Sequence, residues 1–91
     1  MVAPVQPEAD NSINIELGEK EAEGIYSNLA LVSHSPHEFV IDFARMLPGV
    51  PKAKVAARLI IGPSHMVSLI QTLQDNLARY ERTFGPVSRR G

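Results

Sequence analysis

Cysteine and tryptophan are absent from this chain of 91 residues, and only three Phe and two Tyr supply its aromatic side chains. Without thiols there is no disulfide staple, no thiolate metal ligand and no cysteine nucleophile, so stability has to come from packing or association. No window approaches the ~20 consecutive apolar residues of a membrane span. The start, Met1-Val2-Ala3-Pro4-Val5-Gln6-Pro7, lacks the basic and apolar segments of an export signal. A cytoplasmic protein in a reducing compartment is the expectation. Catalytic motifs are missing as well: there is no Gly-x-Ser-x-Gly elbow and no Gly-rich phosphate loop.

Neither sign of charge dominates, since nine Lys and Arg stand against ten Asp and Glu. The charges are unevenly placed, however. Residues 8–23 carry Glu8, Asp10, Glu16, Glu19, Glu21 and Glu23 against Lys20, whereas most of the cations fall after residue 44. Such asymmetry solvates the chain and can also align copies of it. A chain this short makes one domain and buries only about 60–65% of the surface that its unfolded form exposes. Pairing with a copy of itself would widen that thin margin.

Residues 1–11 hold few large apolar groups and are expected to form a disordered tail, and residues 86–91 a flexible one. Between them, residues 12–85 read as a single α+β domain. Ile13, Ile15 and Leu17 alternate with Asn14 and Glu16, which predicts a short strand with one wet face. Residues 24–34, 38–47 and 53–61 predict three more strands, the middle two apolar on both sides. Ser35-Pro36 supplies one turn and Pro48-Gly49-Val50-Pro51 a corner. Gly62-Pro63 then opens a helix that Gly85-Pro86 stops. Met66, Ile70, Leu73, Leu77, Tyr80 and Phe84 recur at alternating spacings of four and three, giving one apolar stripe about five turns long.

The predicted architecture is therefore a four-stranded antiparallel sheet followed by one long C-terminal helix. One helix can shield one face of such a sheet, and nothing else in the chain is left to cover the other. A second copy is expected to pack there, as a homodimer or homotetramer. Phe39, Phe43, Leu73, Leu77 and Tyr80 are the expected interface residues.

Specific residues also carry a resemblance. Tyr26-Ser27-Asn28, the run from Ser33 to Phe43, the run from Leu47 to Val55, and the helix with Leu73-Gln74-Asp75-Asn76 and Tyr80-Glu81 resemble a small prokaryotic family known only as domain of unknown function 3467. The resemblance spans about residues 13–85. Gly62 departs from it, standing where threonine or serine is expected as the helix cap. The family brings no established activity. A fainter similarity, in order of elements only, is to the export chaperone SecB, which joins a four-stranded antiparallel sheet to a long C-terminal helix. It implies grooves between sheet and helix that could hold an extended client segment.

Three function classes follow, and no cofactor is implied by any signature in the chain. The first is a non-enzymatic protein-interaction module, chaperone-like or adaptor, binding itself and a protein client. Asp42, a carboxylate within an apolar strand, would pair with Arg58 on a neighbouring strand and fix register. The second is a nucleic-acid-binding accessory protein that contacts phosphates through Lys52, Lys54 and Arg58 on one alternating strand face. The third is a metal-dependent enzyme using His34, His37 and His65, whose spacing is poor for one shared site.

Overall fold

The computed structural model describes residues 13–88. It contains a one-turn helix α1 (Glu19–Ala22), strands β1 (Leu29–His34), β2 (Phe39–Arg45) and β3 (Lys54–Ile61), and the long helix α2 (Pro63–Phe84). The strands form an antiparallel sheet in the order β1-β2-β3. The N-terminal tail expected over residues 1–11 lies outside the described residues, as do residues 89–91 of the C-terminal one.

The fourth strand expected at residues 13–17 does not form. Ile13, Ile15 and Leu17 are exposed and irregular, and among the described residues they pair with no strand. Alternation marks a segment that suits a half-buried strand, but the strand exists only when a neighbour supplies its hydrogen bonds. The stretch predicted from residue 24 likewise becomes a strand only at Leu29.

Each turn has a local cause. In the β1–β2 hairpin the Ser35 N–H donates to the Glu38 carbonyl at 2.9 Å, and the His37 N–H donates to Ser35 Oγ at 3.3 Å. His34 and Phe39 close the ladder, with ring centroids 5.6 Å apart. At the Pro48-Gly49 corner the Val50 N–H donates to the Leu47 carbonyl at 3.1 Å. Gly49 takes φ +78° there, so the corner is a type II turn, with Pro48 pre-setting the first central residue and glycine meeting the left-handed second.

At the other end of the hairpin, Asn28 extends the ladder with its side chain. Its Oδ1 accepts from the Met46 N–H at 2.8 Å, its Nδ2 donates to the Met46 carbonyl at 3.0 Å, and its own N–H donates to the Ala44 carbonyl at 3.1 Å. Ser27 Oγ adds a bond to the same Ala44 carbonyl at 2.9 Å. Asn28→Ala should therefore fray the start of β1 and lower stability by about 1 kcal/mol, since these bonds are exposed and water competes for them. Urea unfolding would measure the loss, and a variant as stable as the parent would show that the amide bridge contributes nothing.

Only one residue, Gly62, separates β3 from α2, and its φ of −74° and ψ of 160° continue the extended chain into the helix. Loops joining a strand to a helix that packs back on it usually need 2–6 residues. Met66 is accordingly the only buried residue of α2, and contacts between the helix and the strands are few. The expected covering of one sheet face by this helix is thus corrected: α2 leaves the sheet after its first turn. Among the described residues the buried hydrophobic side chains are Ile41, Ala44 and Met66, two on β2 and one at the root of α2.

Candidate assembly surface

Because cross-strand partners share a face, the register sorts the sheet into two sides. Phe39, Ile41 and Phe43 of β2 share one with Ala30 and Val32 of β1 and with Ala57, Leu59 and Ile61 of β3. Val40, Asp42 and Ala44 share the other with Leu29 and Leu31, and with Val55, Arg58 and Ile60. Both sides are apolar, and Leu31, Val32, Val55, Leu59 and Ile60 stand exposed.

The α2 stripe is more open still. Beyond Met66, Ile70 is 47% exposed, Leu73 59%, Leu77 51%, Tyr80 49% and Phe84 72%. Tyr80 and Phe84 pack ring to ring at 4.9 Å, an apolar cluster at the free end of the helix. The interface residues expected from sequence thus divide between two places. Phe39 and Phe43 lie half-buried on the central strand, while Leu73, Leu77 and Tyr80 point into solvent from α2.

Asp42 and Arg58 face each other across β2 and β3. Arg58 Nε donates to Asp42 Oδ1 at 2.7 Å and its terminal nitrogen donates to Oδ2 at 2.9 Å, a fork-to-fork pair. The carboxylate is only 16% exposed, with the guanidinium lying over it at 63%. The hydrogen bonds from Arg58 hold the Asp42 carboxyl below the ordinary carboxylate range; partial burial opposes them and the guanidinium charge adds to them. The same contacts push Arg58 up, so it remains a cation. A depressed carboxylate stabilises the fold in full above its unfolded value and loses that contribution as pH falls through the folded one. Stability should therefore drop as pH is lowered below about 4. Asp42→Asn should be less stable at neutral pH and flatter across that acid range. Parallel unfolding curves for the two proteins from pH 5 to pH 2 would show that the pair does not contribute.

The expected basic face is not assembled. Phe43 pairs with Ala57 but Ala44 pairs with Val55, so Ala56 is an extra residue, a β-bulge. A one-residue shift turns every side chain beyond it to the other face. Lys54 consequently pairs with Arg45 on the Phe43 side, while Arg58 lies on the opposite side, engaged with Asp42. Lys52 precedes the strand. Two adjacent alanines give no sign of the bulge in the sequence.

The histidines are also apart in the chain's elements. His34 ends β1, His37 sits in the hairpin turn and His65 in the first turn of α2. Among the described residues no three His, Asp or Glu side chains form a group that could hold a metal ion.

The sequence profile of a family described as protein of unknown function (DUF3467) matches residues 2–89. The chain belongs to the DUF3467 family. The match takes in the three strands, α1 and α2, including the helix with its open stripe. No curated protein and no solved structure matches this DUF3467 chain. The likeness to SecB is one of element order and includes a four-stranded sheet, whereas among the described residues the sheet of this chain has three strands. No helix among the described residues is long and apolar enough to cross a membrane.

Proposed function

We propose that this protein is a non-enzymatic interaction module that works as a homo-oligomer and receives a protein client, as an adaptor or chaperone does. The observation that carries the reading is the apolar surface. Leu31, Val32, Val55, Leu59 and Ile60 on the two sheet faces and nearly the whole α2 stripe stand exposed, and the largest apolar patch on an ordinary monomer is about 300–600 Å². Leaving such side chains in water forgoes roughly 25 cal/mol for every Å² that association would cover.

The sheet supports the second half of the proposal. In the order β1-β2-β3, each outer strand is hydrogen-bonded on one side, so an extended client segment could add to an outer edge by main-chain bonds and set alternate side chains on the apolar faces. Native mass spectrometry of the purified protein should find a homo-oligomer at micromolar concentration. A monomer throughout that range would sink the assembly claim. A reduced, unfolded substrate protein should aggregate more slowly with one equivalent of oligomer present. Unchanged aggregation would remove the chaperone task.

A further inference from the structure

The α2 stripe has a stricter order than covering a sheet requires. Its spacings of four and three keep phase with a heptad repeat: Met66, Leu73 and Tyr80 occupy one seam position, and Ile70, Leu77 and Phe84 the other. This is a seam two residues wide, the pattern with which one helix meets another, whereas a helix lying on a sheet carries a broader apolar face. The positions beside the seam are Val67, Leu69, Gln74, Asn76, Glu81 and Thr83, of which one is charged. A second helix can therefore approach closely without opposing like charges. Ser68, Asp75 and Arg82 occupy the outermost position.

We infer that the stripe is a helix-pairing surface whose occupant is α2 of a second copy, joined through Ile70, Leu73, Leu77, Tyr80 and Phe84. The inference rests on the homo-oligomeric reading above and specifies its contact. Three features choose this occupant over the chain's own sheet or a foreign protein. The single-residue link at Gly62 leaves α2 clear of its own sheet. The seam is self-complementary, as a two-fold contact between identical chains requires. Its area is also sufficient: the five side chains expose on the order of 500 Å² per chain, since a large side chain presents 150–250 Å². Two copies then bury roughly 1,000 Å², the lower limit for a specific interface, before Val67 and Leu69 add to it. Pairing through α2 leaves the exposed side chains of the outer strands, Leu31, Val32, Val55, Leu59 and Ile60, and the outer strand edges available to a client.

Because the chain has no cysteine, single introduced thiols report contacts without background. The test uses three full-length variants under mild oxidation: Leu73→Cys, the double variant Leu73→Cys with Leu77→Cys, and Ser68→Cys as the outward-facing control. Native mass spectrometry of the parent is run alongside. Most of the chain should cross-link to dimer in at least one of the first two, and at least tenfold less in the control. Cross-linking of Leu73→Cys alone means parallel helices. A requirement for both thiols means antiparallel ones, in which Leu73 meets Leu77 of the other copy. An oligomeric parent whose seam variants cross-link no better than Ser68→Cys would overturn the helix pairing while leaving self-association intact. A monomeric parent would overturn both. Amide exchange in the unmodified protein gives a check free of substitutions: exchange at residues 70–84 should slow at least tenfold on assembly, and unprotected amides there would refute the seam.

Discussion

Replacing Leu77 with glutamate is expected to leave the single chain folded and to take the assembly apart. Leu77 is 51% exposed in the isolated chain, and glutamate is a good helix former, so the substitution removes little that the monomer uses. Association changes the balance. Each copy would then bring an unpaired carboxylate into the middle of an apolar seam, and its water has to be stripped away. A central interface residue is worth about 2 kcal/mol per copy, and two copies meet, so the dissociation constant should rise by roughly a thousandfold. Analytical ultracentrifugation over a concentration series would read this directly. An unchanged association constant would place the contact somewhere other than α2, whatever the stability of the variant.

The second large effect is on the fold. Ile41 is 5% exposed at the centre of β2, and it is one of the buried hydrophobic side chains, with Ala44 and Met66, among the described residues. Truncation to alanine removes its transfer free energy and leaves a void, together about 2–5 kcal/mol. A domain of ordinary size has only about 5–15 kcal/mol in total, and so small a chain lies toward the low end. Ile41→Ala should therefore bring the urea midpoint close to zero and lose near-ultraviolet signal from Phe39 and Phe43. A loss below about 1 kcal/mol would mean that the sheet derives its stability from outside its own centre. The two substitutions act on different links of the same chain of causes. Leu77→Glu leaves the sheet and removes the assembly, whereas Ile41→Ala removes the sheet.

Much of this architecture is legible in the residues because it is local. Pro63 and Gly85 bound α2, and the stripe from Met66 to Phe84 announces its period. The Pro48-Gly49 turn follows from a fixed φ beside a permissive one. The Asp42–Arg58 pair was legible too, but the residues hid the other features decided at a distance. Ile13, Ile15 and Leu17 have the alternation of a strand, but among the described residues they pair with neither outer edge of the sheet. The role of Asn28 was hidden in another way: an asparagine ahead of a strand is ordinarily a turn residue, and its grip on Met46 depends on where the hairpin ends. The relation of α2 to the sheet turned on the length of a link rather than on composition. Gly62 alone spans it.

The extra alanine in β3 also governs how the strand tolerates a change of length. Because Ala56 has no partner on β2, its removal would restore an unbroken ladder and leave the preceding residues opposite the partners they already have. Val55 would stay opposite Ala44 on the side of the Asp42–Arg58 pair, and Lys54 opposite Arg45 on that of Phe43. A single deleted codon would thus straighten one end of the strand without carrying any side chain to the other face.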